Sequence, residues 1–189
     1  MRYLACLLIV TLTLSLQSCI SAVGAAAVGG ILIYKRKSVE NFARDQHIDA
    51  AINNAYVKNG ALWEHNHIVV SCVNGNVLLA GETRSTALRN KAVALAKNVN
   101  GVQRVYNEIT IGKPVSLWRK TRDASITIII KSKMLVARNF DPSGIKVITN
   151  NGVVYLMGIA SPTQSDKAAE IAGTTTGVKK VVKVFQYIT

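Results

Sequence analysis

Apolar and polar positions alternate most regularly in two stretches, Ile68-Val-Val-Ser-Cys-Val-Asn-Gly-Asn-Val-Leu-Leu-Ala-Gly81 and Ile145-Lys-Val-Ile-Thr-Asn-Asn-Gly-Val-Val-Tyr-Leu-Met-Gly158. In each, an Asn-Gly pair separates two short apolar runs. Asn-Gly readily takes positive φ at both central positions of a type I′ turn, so each stretch predicts a tight antiparallel hairpin. Each second strand meets a glycine, Gly81 or Gly158, where a strand ends or bends. The match continues past the hairpins. Lys91-Ala-Val-Ala-Leu-Ala96 answers Lys167-Ala-Ala-Glu-Ile-Ala172, and Gly101-Val-Gln-Arg-Val105 answers Gly177-Val-Lys-Lys-Val181. Upstream, Ala51-Ile52 lines up with Ile128-Ile129 and Trp63 with Phe140. The turns lie 77 residues apart, from Asn74 to Asn151. That period is well above that of a solenoid, so the units are tandem domains.

Each unit reads helix, strand, strand, helix, strand, an α+β pattern. In the first, Ile48, Ala51, Ile52 and Ala55 recur at helical spacing, and residues 85–98 carry Ala87, Leu88, Ala92, Leu95 and Ala96 on one helical face. The alternation predicts a shared core: Ile52, Val70, Leu79, Ala92 and Val105 in the first unit, and Ile130, Val147, Leu156, Ala168 and Val181 in the second. Lys113-Pro114 marks the boundary, because Pro disfavours helix continuation. The units span residues 46–112 and 113–189.

The N-terminus has a different character. Met1-Arg2 precedes an apolar run over residues 3–16, too short for a membrane span and shaped like a secretory signal. Leu16-Gln17-Ser18-Cys19 resembles a bacterial lipobox, with a large apolar residue three before the Cys and a small residue just before it. The resemblance implies that residues 1–18 are removed and Cys19 is acylated. Residues 19–45 would then tether the domains. The Ala-, Gly- and Val-rich stretch closes on Lys35-Arg36-Lys37, which can add about 1 kcal/mol per charge at an anionic surface or serve as a plain solvated linker. Cys72 is the one thiol left in the domains; it cannot form an internal disulfide and reads as a small buried apolar residue.

Charge separates the two units. The chain has a formal net charge of +13. Residues 46–112 hold 6 Lys/Arg and 4 Asp/Glu, whereas residues 113–189 hold 12 and 4. A basic surface calls for an anionic partner, and export to an envelope makes lipid headgroups a better match than nucleic acid. The helix predicted over residues 123–137, with Asp123 as N-cap, agrees. At roughly 100° per residue, Ile126, Ile130, Met134 and Ala137 share one side. Ile128 and Leu135 fall opposite, with Ile129 and Val136 on a flank that Trp118 would join if the helix began earlier. Something other than the unit's own sheet must cover that second stripe. Two occupants fit, the first unit or a membrane interface. For a membrane, the predicted contacts are Trp118, Ile128, Ile129 and Leu135 at the acyl boundary and Arg119, Lys120, Arg122, Lys131 and Lys133 at anionic headgroups.

Other chemistry has little support. His47, His65 and His67 have no acid or Cys completing a ligand set and no counterparts in the second unit, so no metal site is expected. No nucleophile–base motif or Gly-rich phosphate loop is present, so neither an enzyme nor a cofactor is expected.

The doubled hairpin, the Gly-Val-x-x-Val opening of the last strand and the lipobox together resemble the dual-BON-domain outer-membrane lipoproteins. Specific shared stretches are Ser21-Ala-Val-Gly24, Val105-Tyr-Asn-Glu-Ile109, Asn151-Gly152 with Leu156-Met-Gly158, and Gly177-Val-Lys-Lys180. The resemblance implies two αββαβ modules, each with a three-stranded mixed sheet and two helices on one face. It implies a non-enzymatic protein held on the periplasmic face of the outer membrane, binding anionic, phosphatidylglycerol-like lipid and supporting envelope integrity. It places lipid contact on the first helix of the second module. Relatives carry an aromatic there where this chain has Ser125, and Trp118 is the aromatic two turns upstream. The alternative is an adaptor that docks on outer-membrane assembly proteins without binding lipid beyond its anchor.

Overall fold

A computed structural model describes residues 29–64 and 66–188, with side chains from Glu40 onward. The signal, Cys19 and the start of the tether lie outside the described residues, as do His65 and the side chains of Lys35-Arg36-Lys37. Ser38–Thr189 forms one compact unit holding both modules. The first module comprises α1 (Gly29–Val57), a single turn α2 (Gly60–Trp63), β1 (His67–Val73), β2 (Asn76–Thr83), α3 (Thr86–Lys97) and β3 (Arg104–Ile111). The second comprises α4 (Leu117–Val136), β4 (Ile145–Asn150), β5 (Val153–Ala160), α5 (Pro162–Gly173) and β6 (Lys180–Tyr187).

The sheets follow from the turns and crossovers. Asn74 and Gly75 have φ of 50° and 74°, and Asn151 and Gly152 have 50° and 78°, so both hairpins close as type I′ turns. The return to a parallel third strand needs a crossover, which α3 and α5 supply. Ser85 caps α3 through the Leu88 amide, and Ser161 with Gln164 forms a capping box on α5. The sheets therefore run β1-β2-β3 and β4-β5-β6, antiparallel then parallel. Gly81 is required by a close approach: with φ of 135°, a Cβ there would collide with the His67 carbonyl.

Each module has its own core on one face of its sheet. In the first, Ile48, Ile52, Tyr56 and Leu62 meet Cys72, Val77, Leu79, Ala92 and Ala96, with Val70 and Val105 packed against them. In the second, Ile126, Ile130 and Met134 meet Val147, Val154, Leu156, Ala168 and Ala172, with Val181 alongside. The predicted register holds in both. The helix alignment shifts by one residue. Ile48 contacts Gly101 as Ile126 contacts Gly177, so Ile52 answers Ile130 and not Ile129. Likewise Leu62, and not Trp63, enters the core as Phe140 does, and Trp63 faces solvent.

The other faces of the two sheets meet. Leu78 and Ala80 of the first pack with Tyr155, Met157 and Val184 of the second. Polar links cross this contact. Asn150 Nδ2 donates to buried Glu82 Oε1 at 2.8 Å, and Asn74 Nδ2 donates to Gln186 Oε1 at 2.7 Å. Lys146 Nζ lies 3.5 Å from Asp49 Oδ2 and partly offsets the burial that pushes the Asp49 carboxyl up. The modules thus dock sheet to sheet, which rules out the second stripe of α4 as the interdomain contact.

Candidate membrane-binding helix

The predicted contacts all lie on α4. Its start corrects the sequence reading: the helix runs Leu117–Val136, with Ser116 accepting from the Arg119 amide as N-cap. Asp123 is not a cap. It sits mid-helix, buried, where Oδ2 accepts from the Asn151 amide at 2.7 Å and Oδ1 from the Gly152 amide at 2.9 Å. Asp45 on α1 does the same for Asn74 and Gly75, at 2.6 and 3.0 Å. The hairpin turn leaves two amides that strand pairing cannot satisfy, and a carboxylate from the first helix satisfies both. This clamp fixes the rotation of each helix about its axis.

With Asp123, Ile126, Ile130 and Met134 turned inward, the opposite face points to solvent. It carries Leu117 (81% exposed), Trp118 (75%), Ile128 (65%), Leu135 (73%) and Val136, with Ile129 less open. The early start extends the stripe by Leu117 and Trp118, so it runs the whole helix, about 30 Å for 20 residues. Between the apolar residues lie Thr121, Ser125 and Ser132. Thr121 donates to the Leu117 carbonyl and Ser125 to the Thr121 carbonyl, so these hydroxyls direct their protons into the helix. No charged residue interrupts the stripe.

The cations flank it. Arg122 and Lys131 are exposed, and Arg119 and Lys120 are half-buried. Among the described residues, none of these four makes an ion pair. Lys133 reaches across to Thr175 Oγ1 at 3.1 Å, so it also anchors the turn before β6. The structure therefore brings Trp118, Ser125, Ile128, Ile129 and Leu135 onto one face with Arg119, Lys120, Arg122, Lys131 and Lys133 around it. Sequence reasoning missed Leu117; Ser116 as an N-cap was the available signal. No helix among the described residues is long and apolar enough to cross a membrane.

The remaining candidates sit elsewhere. Among the described residues no three His, Cys, Asp or Glu side chains are grouped to hold a metal ion. Cys72 is buried and donates to Asp45 Oδ1, and burial pushes its thiol up to about 12. A cleft of about 620 Å3 lies between the modules at Asn74, Arg104, Tyr106 and Gln186 and contains no residue of α4.

Two αββαβ modules, each tied to its hairpin by a helix carboxylate and joined through their sheets, define a tandem two-module α+β protein. Residues 44–113 and 122–189 both match the BON domain, and the chain belongs to the BON-domain family. It is 35% identical over 177 residues to Outer membrane lipoprotein DolP of Haemophilus influenzae, covering 93% of this chain and 92% of that one. It is 40% identical over 131 residues to the 21 kDa hemolysin of Actinobacillus pleuropneumoniae, covering 69% and 68%. It is 34% identical over 146 residues to Osmotically-inducible protein Y of Escherichia coli, covering 76% and 72%. Like these relatives, it is a non-enzymatic BON-domain protein.

Proposed function

We propose that the protein is an outer-membrane lipoprotein, acylated at Cys19 and facing the periplasm, that binds anionic phospholipid through α4 and supports envelope integrity. The uncharged apolar stripe along α4, flanked by cations that make no ion pair among the described residues, carries this reading. Likeness to Outer membrane lipoprotein DolP supports the location. Burying one Ile-sized side chain in the acyl–headgroup boundary contributes about 1.5–3 kcal/mol, and each nearby cation about 1 kcal/mol at an anionic surface. One acyl chain gives only marginal attachment, so a multiply acylated Cys19 would hold the chain while α4 reads the lipid.

The test is flotation of the Ser38–Thr189 unit with vesicles. Binding is expected to require anionic lipid and to fall with salt, since exposed charges are screened over about 8–10 Å, yet to persist through the apolar stripe. Equal flotation with neutral vesicles, or none with either, rejects lipid recognition by α4. Intact-mass measurement of the mature chain tests the anchor, and an unmodified Cys19 rejects it.

A further inference from the structure

The chain has two tryptophans, one in each module, and both are exposed: Trp63 by 63% and Trp118 by 75%. Indole has an apolar body and one N–H, and it favours the bilayer interface over water. Lys120 follows Trp118 by two residues on α4 and so projects to the other side of the helix, toward Trp63. Lys120 leaves the second module and closes a cleft of about 250 Å3 whose other walls, Trp63, Asn53, Asn66 and His67, belong to the first. Among the described residues no carboxylate lines this cleft. Two carboxylates lie behind it and act on His67: Asp123 accepts from the hairpin-turn amides, and Glu82 accepts from Asn150 through Oε1 while its buried Oε2 has no partner.

The cleft has the chemistry of an anion site. Lys120 is half-buried and makes no ion pair among the described residues. A partly desolvated ammonium gains most from an incoming anion. Burial, then the charge of Lys120, holds the His67 imidazole below its ordinary value. Near neutrality His67 is thus an uncharged N–H donor, and Lys120 is the cation. Asn53 gives its Nδ2 to the Asp49 carbonyl, which leaves Oδ1 to accept from a hydroxyl. One cation, neutral donors and a hydroxyl acceptor beside an exposed indole suit a phosphodiester bearing an alcohol.

We propose that the first module is part of the membrane-binding surface: the Lys120–His67 cleft seats the phosphodiester of an anionic phospholipid while the Trp63 indole enters the headgroup layer beside it. This inference rests on the membrane reading of α4 and adds the first module to it. Both tryptophans would then report contact, and the site would be complete only with the modules docked.

The experiment uses the full-length chain reconstituted into vesicles, as two single-tryptophan variants, Trp118→Phe to report Trp63 and Trp63→Phe to report Trp118. The probes are brominated phosphatidylglycerol, brominated phosphatidylcholine, and the latter with added inorganic phosphate. Trp63 emission is expected to shift blue and be quenched with phosphatidylglycerol alone. Lys120→Gln is expected to weaken that response about fivefold, as loss of one surface cation would. It should weaken Trp118 quenching as well, because Lys120 is also one of the cations flanking the α4 stripe. His67→Ala, confined to the first module, should weaken Trp63 quenching and leave Trp118 quenching nearly unchanged. Quenching of Trp118 without Trp63 overturns the inference while sparing the α4 reading. Silence of both overturns the two together. A Trp63 response to inorganic phosphate with phosphatidylcholine makes this a free-phosphate site and overturns the lipid assignment.

Discussion

The first helices of the two modules solve one structural problem and face solvent with opposite characters. Inward they match: Asp45 and Asp123 clamp the turns, and Ile48, Ile52 and Tyr56 answer Ile126, Ile130 and Met134 in the cores. Outward they diverge. Where α4 shows Trp118, Ile128 and Val136, the aligned positions of the first module are Glu40 and Ala50 on α1 and Lys58 just past its end. The large apolar residues that α1 exposes are Phe42 and Val57. Folding requires the inward set alone. The outward set of α4 is therefore free to vary without cost to the core, and its apolar content is what the proposed membrane contact would use.

The inward match is where the largest effect should lie. Asp123→Ala leaves the Asn151 and Gly152 amides without an acceptor, at about 1–3 kcal/mol each. Chemical denaturation should show a loss of about 2–6 kcal/mol. Asp45→Ala should cost less, because its carboxylate is only half-buried and water can replace it. Equal, negligible losses at both positions would mean that the clamps are incidental and the cores alone set the helix rotation.

The outward difference should appear in binding and not in folding. Ile128→Glu is expected to weaken flotation with anionic vesicles about 10- to 100-fold, from the lost burial of one Ile. Its stability should stay within about 0.5 kcal/mol, as for a surface change. Ala50→Glu, the equivalent change on α1, should leave both unaltered. Unfolding by Ile128→Glu would contradict its exposure. Unchanged flotation would return the stripe to a protein partner.

Much of this was legible in the sequence because it rests on local rules. A period of two with Asn-Gly at the centre sets hairpin register, and a one-residue slip would have turned Leu79 and Leu156 outward. The clamps were not legible, since an Asp preceding an apolar helix reads as a cap and only tertiary contact shows it buried. Misreading Asp123 as the cap shortened α4 and left out Leu117. The sheet-to-sheet docking had a signal that was passed over. Val77-Leu78-Leu79-Ala80 and Val153-Val-Tyr-Leu-Met157 are unbroken apolar runs. Unbroken runs mark strands covered on both faces, and β2 is buried at every position. The divided choice for the stripe, first module or membrane, followed from missing that signal.

The smallest effect concerns a group found in one module alone. His67 pairs with Glu82 across the first hairpin, beside Gly81; the second module has Gly144 against Gly158 at the same place. Burial, then the field of Lys120, lowers the His67 imidazole from its ordinary 6.5, while Glu82 and Asp123 pull weakly the other way. A lowered value means that the unfolded chain takes up this proton first. The contribution of neutral His67 is therefore complete above about pH 6.5 and is lost as pH falls from there through the lower folded value. Denaturation midpoints should decline over that interval, and His67→Gln, which keeps a neutral donor, should flatten the part due to this residue. Lys120→Gln removes one cause of the lowering, which brings the folded value back toward the ordinary one, so it should end the decline at a higher pH and reduce its size. A decline unchanged by both substitutions would assign it to other titrating groups and leave His67 outside the influence of α4.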